Sequence, residues 1–64
     1  MLEVVEVDVK QTVQQSITKC QTSASDLRSA AAQTQNPQAK KVFDQVAKTL
    51  DDCVQQCRNA LNQL

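Results

Sequence analysis

Gln33-Thr34-Gln35-Asn36-Pro37-Gln38-Ala39-Lys40 is the stretch that decides the fold. Asparagine is a strong helix N-cap, because its side-chain oxygen can accept from the first free backbone N–H groups. Proline is favoured at the first helical position, where its missing N–H costs nothing. Proline also pushes the residue before it out of the α region, so a helix arriving from the N-terminal side ends there. One helix therefore stops and another starts at Asn36-Pro37.

Apolar residues on both sides of this point recur with steps of four and three. Upstream they run Val13, Ile17, Cys20, Ala24, Leu27, Ala31, a heptad seam. Thr22-Ser23-Ala24-Ser25 is a weak helical patch, since Ser and Thr compete for backbone hydrogen bonds. The seam keeps its phase through it. Asp8 followed by Gln11 reads as a capping box, so the first helix is expected over about 8–35. Downstream the seam reads Ala39, Phe43, Val46, Leu50, Cys53, Cys57, Ala60, Leu64, with the second helix over about 37–63. Val42, Val54 and Leu61 widen that stripe. Residues 1–7 carry two signals. Val5, Val7 and Val9 alternate as in a strand, while Val5, Val9 and Val13 are spaced as in a helix. An extended or frayed lead-in is expected, with a short intermolecular strand as the alternative.

Folding back at residue 36 sets Ala31 against Phe43, Leu27 against Val46, Ala24 against Leu50, Cys20 against Cys53 and Ile17 against Cys57. The fold class is all-α, an antiparallel two-helix hairpin. In a single chain Val42, Val54 and Leu61 are expected to stay exposed, and a homodimer forming a four-helix bundle would cover them. The length agrees. A chain of 64 residues buries only roughly 60% of its unfolded surface and usually needs a staple or a partner.

Composition narrows the function. There is no glycine, one proline and one aromatic residue, Phe43, which argues against an all-β domain. Seven basic and seven acidic residues cancel. Lys40-Lys41 is the lone basic pair, so nothing resembles the basic stripe of a nucleic-acid binder. Apolar runs are far shorter than the ~20 residues that span a bilayer, and the N-terminus lacks the pattern of a signal peptide. A cytoplasmic location is expected. Nucleophilic thiol catalysis needs a base beside the cysteine, and the chain has no histidine. Lys19 is off the seam, while Asp51-Asp52 and Glu3 with Glu6 sit on exposed positions. The reading is a protein that is not an enzyme.

Cys20, Cys53 and Cys57 remain. All three fall on the expected seams at one level of the hairpin. Three readings stay open. They pack as small hydrophobes, they form a disulfide of which Cys20–Cys53 is the favoured pairing, or their thiolates bind a soft metal such as Cu(I), Zn or an Fe–S cluster. A Cys53–Cys57 bridge is disfavoured by its geometry.

Lys10-Gln11-Thr12, Thr34-Gln35-Asn36, Ala39-Lys40 and Phe43-x-Gln45-x-Ala47 together resemble domain-of-unknown-function family 1657 of spore-forming Firmicutes, over about residues 9 to 50. The resemblance implies a short helical protein tied to sporulation or germination, acting in the cytoplasm, forespore or spore through interaction rather than catalysis. It carries over no catalytic residue. The three cysteines depart from the family pattern.

Overall fold

The computed structural model describes residues 2–64, with side chains from Asp8 onward. Its elements are α1 (Leu2–Gln33) and α2 (Pro37–Leu61), folded back on one another as a hairpin. Among the described residues there is no strand.

The turn forms as its residues dictate. Asn36 has an extended backbone (φ −84, ψ 111), and its side-chain oxygen accepts from the N–H groups of Gln38 at 3.0 Å and Ala39 at 3.1 Å. Pro37 takes the first helical position. On the other side α1 ends at Gln33, two residues before the expected 35. Thr34 N–H still reaches Ala30 O at 2.9 Å, and the Thr34 hydroxyl oxygen accepts from Asn36 N–H at 3.2 Å. Side chains thus satisfy donors at the helix ends, and no described residue needs a positive φ. Replacing Asn36 by alanine is expected to remove about 1 kcal/mol. A thermal melt should show the midpoint falling by about 4–8 °C.

At its other end α1 differs from the expectation. The helix starts at Leu2, so Asp8 lies inside it and caps nothing, and the extended lead-in over 1–7 becomes helix from Leu2 on. Met1 lies outside the described residues, as do the side chains of residues 2–7. Val5, Val9 and Val13 are spaced by four, as a helix allows, and no glycine or proline precedes Pro37 to break the helix. Hydroxyls inside the helices donate back to the carbonyl four residues earlier, Ser16 to Thr12, Thr18 to Gln14 and Thr49 to Gln45. This accommodates residues that otherwise disfavour a helix interior.

The α1 seam is as expected. Ile17, Ala24 and Ala31 are buried, while Val13, Cys20 and Leu27 are half-buried. The α2 seam is shifted by one residue at alternate positions. Ala47 and Val54 are buried and Leu61 is half-buried, while Val46, Cys53, Ala60 and Leu64 are exposed. Val54 and Leu61 therefore belong to the hairpin core, not to an uncovered edge. The inner series of α2 is Phe43, Ala47, Leu50, Val54, Cys57, Leu61. Its steps of four and three mirror those of α1 read backwards from Ala31.

Counting outward from the turn, the matched levels become Ala31 with Phe43, Leu27 with Ala47, Ala24 with Leu50, Cys20 with Val54, Ile17 with Cys57, and Val13 with Leu61. A small residue stands level with a larger one through the first five layers, which lets two helices approach closely without voids. The expected levels Leu27–Val46 and Cys20–Cys53 give way because they would have set two large residues, then two thiols, against each other.

Candidate interaction face

Three residues along an α-helix turn the chain back by about 60°, and four carry it forward by about 40°. Each inner column therefore has one neighbouring column on either side. On α1 the column three residues along from the buried one is apolar and half-buried (Cys20, Leu27), continuing to Val13. The corresponding column on α2 is Phe43, Leu50 and Cys57, also half-buried. Because the helices are antiparallel, these two columns lie on the same side of the hairpin.

Beyond them on that side, α2 presents Val46, Cys53 and Ala60, all exposed, flanked by Val42 at 51% exposure. The other side has the opposite character. Its flanking columns are Gln14, Gln21 and Arg28 on α1 and Asp44, Asp51 and Arg58 on α2, every one exposed. At the open end of that polar side, Lys10, Gln14, Gln55, Arg58 and Asn62 line a shallow depression.

Arg28 and Asp51 form an ion pair across the polar side. Helical side chains lean toward the N-terminus of their own helix. In an antiparallel pair, Arg28 then leans away from the turn and Asp51 toward it, so they meet although Arg28 lies nearer the turn. The hydrogen bond to Asp51, and then its charge, hold the Arg28 guanidinium above its ordinary range. On the Arg28 side, a raised value means that its contribution is lost only as pH rises into strong alkali. Both side chains are about half exposed, at 50% and 48%, so the pair orients the helices more than it stabilises them. Sequence reading missed it. Asp44 with Lys48 and Lys48 with Asp52 are spaced four residues apart on α2, yet neither pair is formed among the described residues. Two exposed flexible side chains gain too little from pairing to hold one geometry.

All three cysteines are free thiols and all three belong to the apolar side. Cys20 and Cys57 are half-buried beside the helix contact, and Cys53 is exposed one column further out. Among the described residues, no group of three or more His, Cys, Asp or Glu gathers to hold a metal ion. The thiols share a face without converging within one chain.

The hairpin as a whole exposes more surface than its mass predicts. A monomeric protein of 7.1 kDa is expected to expose about 4100 Å². This hairpin exposes 5091 Å², an excess of about 1000 Å² over that scaling. A single layer of two helices has nothing to cover its second face. Among the described residues no helix is long and apolar enough to cross a membrane.

Fold and face together define a small helical-hairpin protein with one polar and one bare apolar side. The chain belongs to the family described as protein of unknown function DUF1657, whose model matches residues 13–59. The match begins just after Lys10-Gln11-Thr12 and runs to Asn59, two residues short of the end of α2, so it spans all three cysteines. No curated protein and no solved structure matches the chain.

Proposed function

We propose that this protein is a non-enzymatic interaction module that works through its apolar side and pairs there with a second copy of itself, giving a four-helix bundle. The observation that carries the reading is the division of the hairpin. On one side the columns beside the contact (Val13, Cys20, Leu27 and Phe43, Leu50, Cys57) and the outer column of α2 (Val46, Cys53, Ala60) are apolar and half or fully exposed, with Ser16 and Ser23 on the outer column of α1, whereas the flanking columns on the other side are polar. The surface left in excess of the monomer scaling, about 1000 Å² per chain, is comparable with the roughly 800 Å² that each partner of a stable complex buries. A twofold pairing sets the same face of each copy against the other. The family resemblance supports sporulation or germination as the setting, in the cytoplasm, forespore or spore. Light scattering tests the pairing directly, with twice the chain mass expected.

A second reading is favoured by one observation, the presence of all three thiols on the face that would pair. A soft metal such as Cu(I), Zn or an Fe–S cluster takes thiolate ligands, and here they would have to come from both copies. Protein purified without oxygen separates the two readings. The interaction module is expected to carry no stoichiometric metal and to titrate three reactive thiols per chain once denatured. Bound metal that is lost together with Cys57→Ser would establish the second reading.

A further inference from the structure

We propose that the second copy docks end for end, about a twofold axis lying in the interface at the level of Cys20 and Cys53, so that α2 runs antiparallel along the partner's α2 and α1 along the partner's α1. This rests on the reading of the apolar side as a self-pairing surface and fixes how the two surfaces meet.

Two hairpins can set one face against the other with twofold symmetry in two ways. With the axis along the helices, turn lies beside turn and α1 packs on the partner's α2. With the axis across the helices, each turn lies beside the other copy's open end. The unequal helix lengths discriminate between them. α1 reaches back to Leu2, whereas α2 ends at Leu61, level with Val13. The first part of α1 therefore overhangs, and its exposed Val9, with Asp8, Thr12 and Val13, lines a mainly apolar patch at and beyond the end of α2. Turn beside turn would stack this overhang above the end of the partner's α2, where there is no helix to cover it. End for end lays it along the turn-proximal part of the partner's α1.

The apolar positions agree. They extend from Val42 and Phe43 near the turn to Leu64 and Val9 at the open end, and Cys53 and Cys20 lie midway. An axis at that level superimposes the apolar stretch on itself. It sets Val46 over the partner's Ala60 and Leu50 over the partner's Cys57, larger on smaller. Cys53 comes against the partner's Cys53, while Cys57 is displaced from the partner's Cys57 by about two helical turns, on the order of 10 Å. That separation is beyond the reach of a disulfide.

The test is thiol cross-linking of the full chain with diamide. Two thiols lose their protons and two electrons, an S–S bond forms, and the diazene is reduced to the hydrazine. Three variants keep one cysteine each: Cys20→Ala with Cys57→Ala leaves Cys53, Cys20→Ala with Cys53→Ala leaves Cys57, and Cys53→Ala with Cys57→Ala leaves Cys20. The variant retaining Cys53 is expected to run as a covalent dimer on a non-reducing gel. It should form at least tenfold faster than any dimer of the variant retaining Cys57. The same proteins under reductant are weighed by light scattering. Dimers in which Cys57 links as fast as Cys53, or a wild-type chain that links while none of the three single-cysteine variants does, would overturn the end-for-end arrangement and leave self-pairing intact. Reduced proteins of monomer mass would overturn both.

Discussion

Val54→Glu is expected to abolish the hairpin. Val54 is 5% exposed, within the contact between the helices and level with Cys20. A carboxylate there has no partner and no water. An uncompensated buried charge costs about 3–5 kcal/mol, and a core of this size rarely supplies more than about that amount in total. The expected result is loss of most of the helical circular dichroism at neutral pH. Protonating the glutamate removes the charge, so partial recovery below about pH 5 should follow. A chain that stays fully helical at pH 7 would mean that Val54 does not lie between the helices. On the seam read from sequence, the same substitution would have separated two folded hairpins. On the observed seam it acts on the hairpin itself.

Val46→Glu is the contrasting case, with its main effect on association. Val46 is 43% exposed, so the new charge remains solvated in a single chain and is desolvated only when a second copy covers the face. Burying a polar group without a partner costs at least about 2–3 kcal/mol. That is roughly a hundredfold in the dissociation constant. Sedimentation over a dilution series should show the variant dissociating at about a hundredfold higher concentration than the wild type. An unchanged midpoint would remove Val46 from the interface. Arg28→Glu, on the polar side, is the control. It breaks the ion pair with Asp51 and should leave the association constant within a few-fold of wild type.

Much of the fold was legible because its signals are local. Asn36-Pro37 stops one helix and caps the next through atoms within three residues, and the α1 seam keeps one phase from Val13 to Ala31. The α2 seam was harder for a physical reason. Apolar residues occupy three adjacent columns there, including Val46 next to Ala47 and Cys53 next to Val54, so periodicity alone admits two inner lines. Only the size of the facing residues selects one. Leu27 and Cys20 on α1 leave room for Ala47 and Val54, and the alternating large and small residues fix the register. Ala47, the most completely buried side chain among the described residues at 0% exposure, was missed because alanine carries little hydrophobic signal.

The candidate site was legible in part. All three cysteines were placed on inward seams, which holds for half-buried Cys20 and Cys57 and fails for Cys53. The displacement of that one thiol converts three core residues into three residues of a shared face. Arg28 and Asp51 were invisible to sequence rules, which compare charges three or four residues apart and not across a turn. Their pairing marks the polar side and thereby identifies the other side as the one left bare.

Sedimentation equilibrium of the reduced wild-type chain addresses the central claim most directly. A hairpin whose apolar side is covered by a second copy should fit, at micromolar concentration and above, to twice the 7.1 kDa of the single chain, and the fit should need no larger species. A helical species of 7.1 kDa that persists to about 100 μM, a concentration at which a dimer of even micromolar affinity is nearly fully formed, would contradict the account.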